Sequence, residues 1–132
     1  MKSKAILVAL AILTSFFGCE SETSRTVPGD LLGVWKTTAP KYKDCYFELR
    51  EDMIIFVNEV LLKEGDVNSI SKIEKTRKGK RVLYTIHYQD REGLEYEFSF
   101  FYNPARPGSL RLQNQLQIEW RKIDMPRADE PS

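Results

Sequence analysis

The chain has 132 residues, enough for one domain of ordinary size and too few for two. Its 20 basic and 19 acidic side chains leave a formal charge of +1, so no global attraction draws it to nucleic acid. One histidine and two cysteines cannot assemble a zinc site of the usual spacing.

Met1 to Lys4 is short and basic, and Ala5 to Gly18 carries no charge. This apolar run is shorter than the ~20 residues of a membrane-spanning helix. A basic start, a brief apolar stretch and a small residue at the cut describe an export signal. Phe16-Phe17-Gly18-Cys19, followed by the polar Glu20-Ser21-Glu22, resembles the lipobox of bacterial lipoproteins. The resemblance implies that residues 1–18 are a signal peptide that is removed. Cys19 then becomes the acylated first residue and anchors the protein to a membrane of the bacterial cell envelope, with the domain periplasmic or extracellular. An ordinary secretory signal with an incidental Cys19 is the alternative. Losing Lys2 and Lys4 turns the formal charge from +1 to −1.

Residues 19–29 have only Val27 to bury and are expected as a flexible tether. A single all-β domain is expected over 30–123. Gly33 to Lys36, Cys45 to Leu49, Met53 to Val57 and a weaker run over Val67 to Lys75 are its first strands. Asn58 to Gly65 is expected as a turn or loop. From there the apolar period is two. Tyr84, Ile86 and Tyr88 alternate with Thr85, His87 and Gln89, and Leu94, Tyr96, Phe98 and Phe100 with Glu95, Glu97 and Ser99. Leu110 and Leu112 continue the pattern, as do Leu116, Ile118 and Trp120. Lys78-Gly79, Asp90 to Gly93, Pro104 to Gly108 and Gln113-Asn114 supply the turns between runs. About eight antiparallel strands in a meander close most simply into a small up-and-down barrel; a β-sandwich is the alternative. Residues 124–132 read as a disordered tail.

Gly33-Val34-Trp35 at the first strand resembles the Gly-x-Trp that opens the barrel of lipocalins and lipocalin-like proteins. The resemblance implies that Trp35 plugs a closed end and that Arg121 or Lys122 of the last strand packs over it. It also implies a small hydrophobic ligand or lipid in the lumen.

No catalytic, metal or cofactor site is legible, and no enzyme is expected. His87 reads as a solvated strand residue, Glu95 and Glu97 as a solvated face, and Cys45 as a buried free thiol on the face of Phe47 and Leu49. Lys75-Thr76-Arg77-Lys78-Gly79-Lys80-Arg81 reads as a charged hairpin tip, with docking to anionic lipid as the functional alternative. Nucleic acid is not an expected partner. The aromatics are the remaining signal. Tyr84, Tyr88, Tyr96, Phe98 and Phe100 are the candidate ligand-binding residues, lining either a lumen or a filled core. Binding of a small apolar ligand by a membrane-anchored domain is the leading functional expectation. A non-enzymatic interaction or structural module that meets another envelope protein is the alternative.

Overall fold

A computed structural model describes residues 21–123. Residues 1–20, with the expected signal peptide 1–18 and Cys19, and the tail 124–132 lie outside the described residues. The strands are β1 (Ser21–Ser24), β2 (Gly33–Lys36), β3 (Cys45–Leu49), β4 (Met53–Asn58), β5 (Leu62–Lys78), β6 (Arg81–Gln89), β7 (Glu95–Tyr102), β8 (Ser109–Leu112) and β9 (Gln115–Ile123). Strands β2 to β9 pair in sequence order, each antiparallel to the next. β9 returns to β2, which closes an eight-stranded up-and-down barrel. The barrel, not the sandwich, is the observed closure. Among the described residues no helix is long and apolar enough to cross a membrane.

Directly opposed residues of an antiparallel pair share a face, so the register sorts the side chains. Ile86 faces Phe98, Tyr84 faces Phe100, and Leu110 faces Trp120. With Trp35, Phe47, Leu49, Ile54 and Ile73 these form one interior cluster, against which Phe98, Leu112 and Ile118 are half-buried. β5 spans 17 residues because it serves two neighbours: Leu62–Ser69 pairs with β4 and Ser69–Lys78 with β6. A bulge at Ser71, whose hydroxyl donates to the His87 carbonyl at 3.0 Å, shifts the register between Ile70 and Lys72. Ile70 and Ile73 then both face inward despite their odd spacing.

Two expectations are corrected. Ser21–Ser24, within the expected tether, is a strand paired with Ile73–Thr76 of β5. β5 runs past the end of β4 there, and backbone hydrogen bonds cover that open edge without needing apolar side chains. Val27 is buried, and its amide donates to the Glu51 carbonyl at 2.9 Å. The second correction concerns Asn58 to Gly65, where the turn is confined to Glu59–Leu61 and Leu62–Gly65 already belongs to β5. The Asn58 side-chain oxygen accepts from the amides of Val60 and Leu61, which makes the turn short.

One end of the barrel is plugged. Leu31, in the short helix Gly29–Leu31, is 1% exposed, and its carbonyl accepts from Trp35 Nε1 at 3.0 Å. Lys122, opposite Trp35 in register, lays its ammonium 5.5 Å from the Trp35 ring centre and donates to the Asp30 carbonyl at 2.6 Å. Arg121 is exposed instead and pairs with Glu119. Gly33 holds φ +134°, and a Cβ there would lie 3.3 Å from the Lys122 stem. A Gly33→Ala change should therefore lower stability by about 1–3 kcal/mol. Gly79→Ala, at φ +66° in open space, should cost about 1–2 kcal/mol through backbone conformation alone. Urea unfolding of both variants checks the order; equal costs would mean that the Lys122 contact adds nothing.

Candidate functional site

The other end of the barrel is a mouth. It is bounded by the turns Glu59–Leu61, Asp90–Leu94 and Gln113–Asn114 and by the loop Thr37–Asp44. From the plug to this mouth the aromatics form a continuous column. Trp35 stacks on Phe47 at 6.3 Å, and Phe47 meets Phe98 at 5.1 Å. Phe98 meets Phe56 at 5.6 Å, Phe56 meets Tyr88 at 5.6 Å, and Tyr88 stacks on Tyr96 at 5.5 Å.

Beside this column lies an apolar cavity of about 270 Å³. Its walls are Phe47 of β3, Phe56 and Val57 of β4, Phe98 of β7, Leu112 of β8 and Trp120 of β9, with Cys45, Tyr46 and Asn58 at the mouth side. Tyr42 also lines it. Its ring stands 5.4 Å from that of Trp120, and its hydroxyl donates to Gln115 Oε1 at 2.8 Å. Pro40 starts the short helix Pro40–Tyr42 that swings this side chain over the lumen. A second, more polar recess of about 350 Å³ lies between Glu97, Ser99, Gln113, Asn114 and Gln115. The two share Tyr42, Phe98 and Leu112, which therefore partition the apolar chamber from the polar one.

Of the five ligand candidates, only Phe98 lines the apolar cavity. Tyr84 and Phe100 pack into the plugged half, and Phe100 is fully buried. Tyr88 and Tyr96 stand at the rim, where Tyr96 is 43% exposed and donates to Asp90 Oδ2 at 3.3 Å. Burial lifts the Tyr84 and Tyr88 hydroxyls above the ordinary phenol range. For Tyr88 the nearby Asp66 adds to the effect, and for Tyr96 the Asp90 carboxylate is the main cause. All three stay neutral well beyond physiological pH. The wall residues Phe47, Phe56, Leu112 and Trp120 had an inward period in the sequence but no mark to set them apart from core. Tyr42 had no such signal, because it belongs to a loop.

Cys45 is half-buried at the cavity wall, where Asn58 Nδ2 donates to its Sγ at 3.5 Å. The Trp120 Nε1 is buried without a hydrogen-bond partner among the described residues. His87 lies on the outer face with Nε2 2.9 Å from Glu74 Oε1 and Nδ1 3.6 Å from Glu97 Oε1. Lys72 first, and His87 after it, hold the Glu74 carboxyl below its usual range. Phe101 is half-buried under Arg81, whose guanidinium sits 4.6 Å from the ring centre. Among the described residues no three of His, Cys, Asp and Glu come together as a metal-holding group.

No protein-family model matches the chain, and neither the curated proteins nor the solved structures contain a match to it.

The cavity divides Phe98 from Phe100 energetically. Phe100→Ala should cost about 3–5 kcal/mol, as a fully enclosed ring does. Phe98→Ala, which only enlarges an existing void, should cost clearly less. Denaturant midpoints of the two variants test this, and the reverse order would place the cavity wrongly.

Proposed function

We propose that the protein is a lipid-anchored envelope protein whose lipocalin-like barrel holds a compact, uncharged apolar molecule in the chamber behind Tyr42. The observation that carries this reading is an apolar cavity of about 270 Å³ at the open end of a barrel whose other end is plugged. That volume lies near the lower bound of small-molecule pockets, which run ~300–1,000 Å³. The guest is accordingly a short acyl or aromatic group rather than a whole phospholipid.

Electrostatics narrows its polar end. No ionised side chain lines the chamber, so a buried charge would lose its hydration without replacement. Asp66, Asp90, Glu92, Glu95 and Glu97 outnumber Lys41, Lys43 and Arg91 on the mouth strands, turns and loop, which disfavours an anion such as a free fatty acid at the rim. A neutral guest suits these surroundings.

A second reading is a protein-interaction module. Val60, Leu61, Leu94, Tyr96 and Leu116 are the exposed large apolar side chains among the described residues, and all five sit at the mouth. A partner that covers the rim would bury them together.

Native mass spectrometry of protein purified from its own envelope, with hydrophobic-dye displacement, separates the two. A bound neutral apolar molecule is expected. A medium-chain alcohol or ester should displace dye at least tenfold better than the matching acid. Phe98→Trp and alkylation of Cys45 should both reduce binding while the fold persists. An apo protein that ignores dye, alcohol and ester sinks the ligand reading and leaves the interaction module. For the anchor, Cys19→Ala should release the protein from the membrane fraction and change its mature mass; an unchanged mass and location would rule the anchor out.

A further inference from the structure

Five cations take no part in the chamber: Lys75, Arg77, Lys78, Lys80 and Arg81, on the β5–β6 hairpin at the plugged end. Arg77, Lys78, Lys80 and Arg81 are exposed and Lys75 is half-buried. Among the described residues none of the five enters an ion pair; Glu22, in register with Lys75 on β1, is the nearest acidic position on the adjoining strand. No acidic residue occurs between Glu74 and Asp90. The far end of β6 has the opposite character. Asp90, Glu92, Glu95 and Glu97 gather there with Arg91, and they outnumber it and the two mouth lysines Lys41 and Lys43. A nine-residue strand is roughly 30 Å long, so the barrel is charge-polarised along its axis, cationic at the plug and anionic at the mouth.

The second observation is where the chain comes in. β1 pairs Ser21 with Thr76, in the middle of the cationic run. On the anchor proposed above, the lipidated residue Cys19 is two positions earlier and so within roughly 7 Å of chain from Ser21. The proposed attachment point and the densest cations of the sequence therefore belong to one end of the fold.

We propose that this hairpin is a docking face for an anionic lipid surface, which holds the barrel with its plug toward the membrane and its mouth away from it. Pairing of β1 leaves almost no slack between the proposed lipid on Cys19 and the hairpin, so the cations lie at headgroup height. Each one near such a surface strengthens attachment about fivefold. Nucleic acid fits less well, because the neighbouring Phe101 is covered by Arg81 and offers no free face for base stacking. The proposal rests on the lipid anchor proposed above and is independent of whether the chamber holds a ligand.

The test is lysine footprinting of the full chain on vesicles of phosphatidylcholine alone or with 30% phosphatidylglycerol, using a membrane-impermeant acylating reagent. Labelling of Lys75, Lys78 and Lys80 is compared, within each molecule, with that of Lys41 and Lys43 at the mouth. With phosphatidylglycerol the hairpin lysines should be protected at least threefold relative to the mouth lysines, and 0.5 M salt should abolish the difference. The double variant Lys78→Glu, Lys80→Glu should lose the protection of Lys75 without a change in melting temperature, since both side chains are exposed and unpaired. Equal ratios on the two vesicle types, or protection of Lys41 and Lys43 instead, would overturn the proposal. So would protection by added DNA or an acidic protein but not by phosphatidylglycerol, which would assign the face to a macromolecule.

Discussion

Closure of this barrel depends on one contact between residues 87 positions apart in sequence: Lys122 of the last strand lying over Trp35 of the first. The β2–β9 seam is only three pairs long, so the ladder alone is a weak seal. The Lys122 stem packs where Gly33 has no side chain, its ammonium meets both the Trp35 ring and the Asp30 carbonyl, and Trp35 donates to Leu31. Strand, plug and N-terminal segment are thereby fastened at one point. With that end filled by Leu31 and Trp35, the apolar cavity lies toward the mouth. The chamber under Tyr42 and the apolar rim both follow from this.

The barrel was legible because its later strands, from Tyr84 through Trp120, keep a period of two that Phe101 alone breaks within a strand. The weaker signal over Val67 to Lys75 has a definite cause. Ile70 and Ile73 are three apart, and only the bulge at Ser71 turns both inward, which no alternation can announce. β1 was invisible for another reason. Ser-Glu-Thr-Ser contributes backbone hydrogen bonds and no apolar surface, so composition reads it as tether. In the candidate site Tyr84, Tyr88, Phe98 and Phe100 are inward as expected while Tyr96 is exposed at the rim, but composition could not say which rings face empty space. Tyr84 and Phe100 differ from Phe98 only in height along the barrel, and that height is set by which end is plugged.

The chamber and the cationic hairpin occupy opposite ends, and β6 connects them. Its first residue, Arg81, belongs to the cationic tip, and its last, Gln89, donates to Glu95 at the acidic mouth. A domain built this way separates attachment from access. On the two proposals made above, the face that meets anionic lipid is not the face through which a guest passes, and the acidic rim is repelled by the surface that attracts the tip.

The seam also bears on how such a chain reaches its final form. Joining β5 to β6 needs a two-residue turn and forms nine pairs, whereas joining β2 to β9 must bring together residues almost ninety apart for three. Loop entropy rises with that separation, so the central hairpins condense early and the seam zips last. Until it does, β2 and β9 present unpaired backbone edges. Both are poor templates for a neighbouring chain: β2 is only four residues long, and β9 carries Arg121 and Lys122 where it would pair. The lysine that seals the finished barrel thus also guards the open one against association with other copies.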